Sequence, residues 1–174
     1  PLFLALADRN DPAVLPVVLA TGKNGSKPLR LLAIEVMVRD GNPACVPVLL
    51  DTLAESDAEL AKAAKAALAG MWGGEVDAQL TARLPQATGN TRRLLVDLAG
   101  QRHVGAAIPE LIKAANDSDP AIRTAGIKAL GETVGPANLG ALTDLLAQAK
   151  SADDVAAIQA ALESACTRIP DKAA

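Results

Sequence analysis

Few residues in this chain have the types and spacing that chemistry needs. His103 is the single histidine, set in a turn beside Arg102 at the position held elsewhere by Gly41, Trp72 and Val134. Acid–base or nucleophilic work by a histidine needs an orienting carboxylate or a nucleophile close by. The sequence points to neither, so His103 reads as a structural residue. A metal site needs several ligands together, and Cys45 and Cys166 form no such cluster with it. Both cysteines read as buried free thiols. Asp153-Asp154 and Asp117-Ser118-Asp119 are carboxylates at helix starts, where they cap orphan N–H groups and complement the helix dipole. Paired glycosidase carboxylates face each other across a cleft, a geometry that one helical turn does not supply. Gly70-Met71-Trp72-Gly73-Gly74 lacks the strand, Lys and Ser/Thr of a phosphate loop, and Trp72 reads as a cover over a gap between repeats. No catalytic residue, cofactor site or metal site is assigned.

The elements around these residues form a pattern of their own. Asp119-Pro120-Ala121-Ile122-Arg123-Thr124-Ala125-Gly126-Ile127-Lys128-Ala129-Leu130-Gly131 reads as a capped helix with proline in its first turn and glycine at its exit. The chain writes it repeatedly. At steps of 31 residues, Ala33, Ala64, Leu95, Gly126 and Ala157 form one column and Val36, Ala67, Leu98, Ala129 and Ala160 another. An upstream helix repeats in the same step, through Val18, Leu49, Leu80, Leu111 and Leu142. Register kept through five repeats without an insertion signals a stacked repeat array.

The spacing predicts one array over 1–174, with helix pairs at 11–40, 42–70, 74–100, 104–131 and 135–169. Residues 2–9 read as the second helix of a leading repeat whose first helix is absent, since Phe3 falls in the column of Ile34 and Leu6 in that of Met37. That is the expectation for a piece of a longer protein. Ser26, Asp57, Thr88 and Asp119 form a capping column. Pro16, Pro47 and Pro109 are expected inside the first helices, where each bends its helix. Thr21-Gly22-Lys23-Asn24-Gly25 reads as a turn.

Half of the residues are hydrophobic, with one Phe, one Trp and no Tyr, and the net charge is −3. Alanine carries much of the apolar content, which suits closely approaching helices. The charge argues against a general polyanion binder, and no apolar run reaches the roughly 18–20 residues of a membrane span. In a stacked array Cys45 and Cys166 lie beyond disulfide reach.

The columns resemble HEAT-like repeats, in the short bacterial form shared with phycobilisome-lyase-type repeats. The residues that carry the resemblance are Asp119 to Gly131 as written above and, more loosely, Asp57-Ala58-Glu59-Leu60. Asp11-Pro12-Ala13-Val14-Leu15-Pro16 and Asn42-Pro43-Ala44-Cys45-Val46-Pro47 resemble the first helix of the family. Its second-helix arginine is matched by Arg30, Arg92 and Arg123, while Ala61 and Asp154 break the column. The resemblance implies an all-α, right-handed α-α superhelix of antiparallel helix pairs, with second helices lining the concave side. It further implies binding of a protein or peptide partner, or a spacer role beside other domains of a longer chain, as in some larger exported bacterial proteins.

The candidate binding face consists of second-helix positions: Leu31, Ile34, Glu35, Lys62, Lys65, Arg93, Asp97, Thr124, Lys128 and Gln159. Basic members would steer a partner and aliphatic ones anchor it. The arginine column is expected to bond caps and carbonyls of adjacent repeats. The leading expectation is a non-catalytic interaction or scaffold domain. An accessory role in an enzyme, including lyase-like chromophore presentation, is the alternative. A nucleic-acid groove, seeded by Lys62, Lys65, Arg92 and Arg93, ranks third for want of stacking aromatics.

Overall fold

The computed structural model describes residues 13–149 and 151–168. The partial helix expected at 2–9, the Asp11-Pro12 start and the Pro170-Asp171 stop lie outside the described residues. Every regular element among the described residues is an α-helix or a 3-10 turn. The chain is an all-α helical-repeat protein. It divides into two compact units, Pro1–Gln79 and Leu80–Ala174.

In the first unit, α1 (Val14–Asn24) pairs with α2 (Lys27–Asp40). A 3-10 turn (Pro43–Cys45) leads into α3 (Val46–Leu53), which pairs with α4 (Ala58–Gly70). The second helices α2 and α4 also pack on each other. Met37, Leu49, Leu50, Leu53 and Leu68 are fully buried between them, each such side chain contributing about 1.5–3 kcal/mol by leaving water. α2 stops where the sequence predicts: Gly41 adopts φ 64°, which glycine tolerates, and its N–H bonds the Met37 carbonyl at 3.0 Å. α4 starts on Asp57, whose Oδ1 accepts from the Glu59 and Leu60 N–H groups at 3.0 and 3.2 Å.

Two expectations change here. α1 runs through the predicted turn to Asn24, because Gly22 is buried in the stack; a Cβ there would meet Met37 Cε at 2.5 Å and Val48 Cγ1 at 3.3 Å. The close approach that glycine permits outweighs its low helix propensity. The prolines also do not lie inside their helices, where a ladder bond would be lost. Pro47 and Pro109 sit in the first turn of the α-helix, just after a 3-10 turn. An N–H there has no intrahelical partner, so its absence costs no ladder bond. Pro16 likewise lies in the first turn of α1.

α5 (Gly74–Arg83) contains the division between the units. In the second unit, a 3-10 turn (Leu84–Gln86) precedes α6 (Gly89–Gln101). The turn Gly105–Ala107 and α7 (Ile108–Ala115) then pair with α8 (Pro120–Thr133). The turn Pro136–Asn138 and α9 (Gly140–Gln148) pair with α10 (Ala152–Arg168). The second helices α6, α8 and α10 pack in sequence, with α8 central.

Small residues set these spacings. A Cβ on Gly126 would collide with the backbone of α7, meeting the Ala114 carbonyl carbon at 2.6 Å. Gly131, expected as the exit of its helix, instead lies inside α8, where a Cβ would meet Ala161 Cα of α10 at 2.7 Å. It is a crossing point rather than a terminator. Of the capping column, Asp119 accepts from Ala121 N–H at 2.8 Å, as Asp57 does in its own helix. Ser26 and Thr88 hold the cap position with extended dihedrals but no side-chain bond.

Candidate functional site

Register separates the second-helix residues that hold the stack from those that face outward. The arginine column holds it. In the first unit, Arg30 Nε donates to the Gly22 carbonyl at 2.8 Å, within its own pair. Its Nη1 and Nη2 reach Glu55 of the next pair at 2.8 and 2.5 Å. This bidentate pairing with one carboxylate raises the guanidinium pKa further. Lys27 adds a second link between pairs, reaching Asp57 at 2.9 Å and Glu59 at 2.8 Å. The bonds to Glu59 and Asp57 raise the Lys27 pKa, and the bond from Lys27 leads the causes that lower that of Asp57.

In the second unit, Arg92 donates to the Leu84 carbonyl at 3.5 Å and faces Asp117 at 3.6 Å. Arg123 donates from Nε to Asp154 at 3.0 Å and from Nη1 to the Asp117 and Ser118 carbonyls at 2.9 and 3.3 Å. Asp154, which breaks the arginine column in sequence, is therefore the partner of the arginine one repeat upstream. Bonds from Ser151 and Arg123 hold the Asp154 carboxyl below its ordinary range. Arg168 adds a clasp that sequence reasoning missed, donating to the Gly131 and Val134 carbonyls at 2.7 and 3.1 Å. No motif marks Arg168, because it lies off the arginine column.

The candidate face divides by burial. In the first unit Glu35 and Lys62 are exposed and Leu31 and Lys65 half-buried. Ile34 is 5 % exposed and belongs to the core, as do Val96, Ile127 and Ile158 of the same column. A face cannot use it; one residue out of phase along a helix turns a side chain by about 100°. In the second unit Thr124, Lys128 and Gln159 are exposed and Arg93 and Asp97 half-buried. Several charges there pair within their own helix: Arg93 with Asp97 at 3.3 Å, Lys128 with Glu132 at 3.8 Å and, in the first unit, Arg39 with Glu35 at 2.8 Å.

The remaining chemical candidates are also located. His103 adopts φ 53°, and its Nδ1 lies 2.5 Å from the Glu132 carbonyl, tying the turn after α6 to the end of α8. Trp72 does not cover a gap between repeats: it is 95 % exposed. Cys45 is buried, and desolvation pushes its thiol up to about 11. Cys166 is exposed, contrary to expectation, because it lies on the outer side of α10 next to buried Ala165. Among the described residues no group of three or more His, Cys, Asp or Glu could hold a metal ion, and no helix is long and apolar enough to cross a membrane.

Residues 76–163, about half of the chain, match the family described as HEAT repeats. No curated protein matches the chain.

Proposed function

Because this chain belongs to the HEAT repeat family, we propose that it is a non-catalytic domain that holds a protein partner or spaces neighbouring domains of a longer bacterial protein. Protein binding and scaffolding are the common work of such repeats. The observation that carries the reading is the division of labour along the second helices. Arg30 and Arg123 are committed to bonds within the stack. One residue further on, Lys62 and Thr124 are exposed and Leu31 and Arg93 half-buried. A stack that satisfies its own charges and still presents an ordered outer register suits docking by side-chain complementarity. The 31-residue step, written in the Arg123–Asp154 bond itself, supports the short form of the repeat that phycobilisome-lyase-type proteins share.

Leu31, Glu35, Lys62 and Lys65 form the proposed face of the first unit, and Arg93, Asp97, Thr124, Lys128 and Gln159 that of the second. Capture of partners from a source lysate with the wild-type chain and a Lys62→Glu/Arg93→Glu/Lys128→Glu variant of equal helicity tests it. A partner retained by the first and lost by the second is the expected result. A partner indifferent to the change would move the interaction to another surface.

A further inference from the structure

The arginine register carries an internal comparison between successive pairs. In the first unit, Glu55 sits 25 residues after Arg30 and takes two of its nitrogens. Thr52 Oγ1 completes the contact at 3.3 Å. Asp117 stands at the same offset from Arg92. At that offset from Arg123 the chain has Gln148, a neutral amide that cannot act as the counter-ion. Arg123 turns to Asp154 instead, and its Nη2 has no partner among the described residues. Beside it lies a cleft of roughly 400 Å³. Arg123, Gln148 and Asp154 form its polar side, and the buried Ile127, Leu145 and Ile158 its apolar side.

We propose that this cleft binds the C-terminal residue of a partner polypeptide, an aliphatic one, whose carboxylate takes the place against Arg123 that Glu55 fills against Arg30. The inference rests on the reading of this chain as a protein-binding domain and names what one site on it recognises. The volume is that of a small-ligand pocket. Arg123 and Ile127 are neighbours one turn apart on α8, about 5–6 Å between Cβ atoms. A single leucine, isoleucine or valine at a chain end carries a carboxylate and a branched side chain on one Cα and so addresses both sides of the cleft, which Arg123 and Ile127 line together. A mid-chain aspartate or glutamate would bring the charge and leave the apolar side empty. Asp117 and Asp154 also line the cleft, and each faces an arginine, Asp154 at 3.0 Å from Arg123 and Asp117 at 3.6 Å from Arg92. The carboxylate is therefore held by directed N–H donors, Arg123 Nη2 and the Gln148 amide, rather than by net field.

Fluorescence anisotropy with the full chain and a labelled hexapeptide ending in leucine tests the assignment. Peptides with a free carboxylate and with a C-terminal amide are compared. The amide is expected to bind at least about tenfold more weakly, as loss of a charge-assisted hydrogen bond predicts. Gln148→Glu restores the internal acid at the register of Glu55, so it should match or exceed the wild-type thermal midpoint while losing at least about tenfold in peptide affinity. Arg123→Gln should lose as much. Equal binding of acid and amide, unchanged affinity in Gln148→Glu, or no binding of the free acid would overturn the proposal. Free leucine competing as tightly as the peptide would overturn it too, by reassigning the cleft to a small amino acid. If this assay fails while partner capture still depends on Lys62, Arg93 and Lys128, the cleft alone is excluded. If capture is indifferent to those residues and the peptide binds, the outer face is excluded instead.

Discussion

Cys45 and Cys166 show how far burial decides the chemistry of a side chain. A thiol reacts as its thiolate. Cys45 combines full burial with a pKa of about 11, and Cys166 is exposed. A disulfide-exchange reagent at about pH 8 should modify one thiol rapidly, and the second at least about a hundredfold more slowly until denaturant is added. Mass mapping should place the fast label on Cys166; rapid labelling of both in the folded chain would mean that the 3-10 turn carrying Cys45 opens readily. Type preference made Cys45 readable as core and misplaced Cys166, since a cysteine on the outer side of an alanine-rich helix carries the same letter as one inside. Trp72 was misplaced for the same reason. Its size argues for burial, but the turn around it, with Gly73 at φ 104°, leaves it in solvent. The role of the arginines was legible from their column. Their acids were not, because an offset of 25 residues acquires meaning only once the loop between two helices has a known path.

Helix starts and stops follow the local chemistry most closely. Asp57 caps α4 and also receives Lys27 from α2, so one carboxylate joins a helix end to the neighbouring pair. Its folded pKa lies below its unfolded value. The stabilisation is therefore present above the ordinary carboxylate pKa and is lost as pH falls through the depressed folded one. Asp154 behaves in the same sense. Lys27, raised by its acidic partners, contributes below the ordinary lysine range and loses its contribution as pH rises through its folded pKa. Thermal midpoints measured from about pH 7 down to about pH 2 should fall less steeply in Asp57→Asn, which keeps a cap acceptor and removes the titrating charge. A parallel profile would show that this pairing adds nothing to stability in solution. The helix pairs were legible because apolar periodicity and caps repeat together. Two details were not. Proline in the first turn after a 3-10 segment and proline within a helix look alike in sequence. Gly131 reads as a terminator until α10 is seen crossing at that point.

At the scale of the molecule, a helix pair of a repeat stack does not bury its apolar face alone and depends on contacts with its neighbour. Leu111 and Leu130, both 0 % exposed, mark the two sides of that dependence on α7 and α8. Truncation of either to alanine should cost about 2–5 kcal/mol, as core cavities do, read from urea denaturation. A loss below about 0.5 kcal/mol at both, the range of surface changes, would remove them from the core. The bond between Arg123 and Asp154 has a different reach. The two residues hold the same place in consecutive pairs, 31 residues apart. Arg92 and Arg123 also stand 31 residues apart, and there Arg92 faces Asp117, 25 residues on, instead; a tandem copy of the fourth pair would bring the copied Asp117 to that same offset from Arg123. Gene duplication can therefore lengthen this chain where the incoming pair brings an acid at either of these two offsets, 25 residues as for Arg92 or 31 as for Arg123.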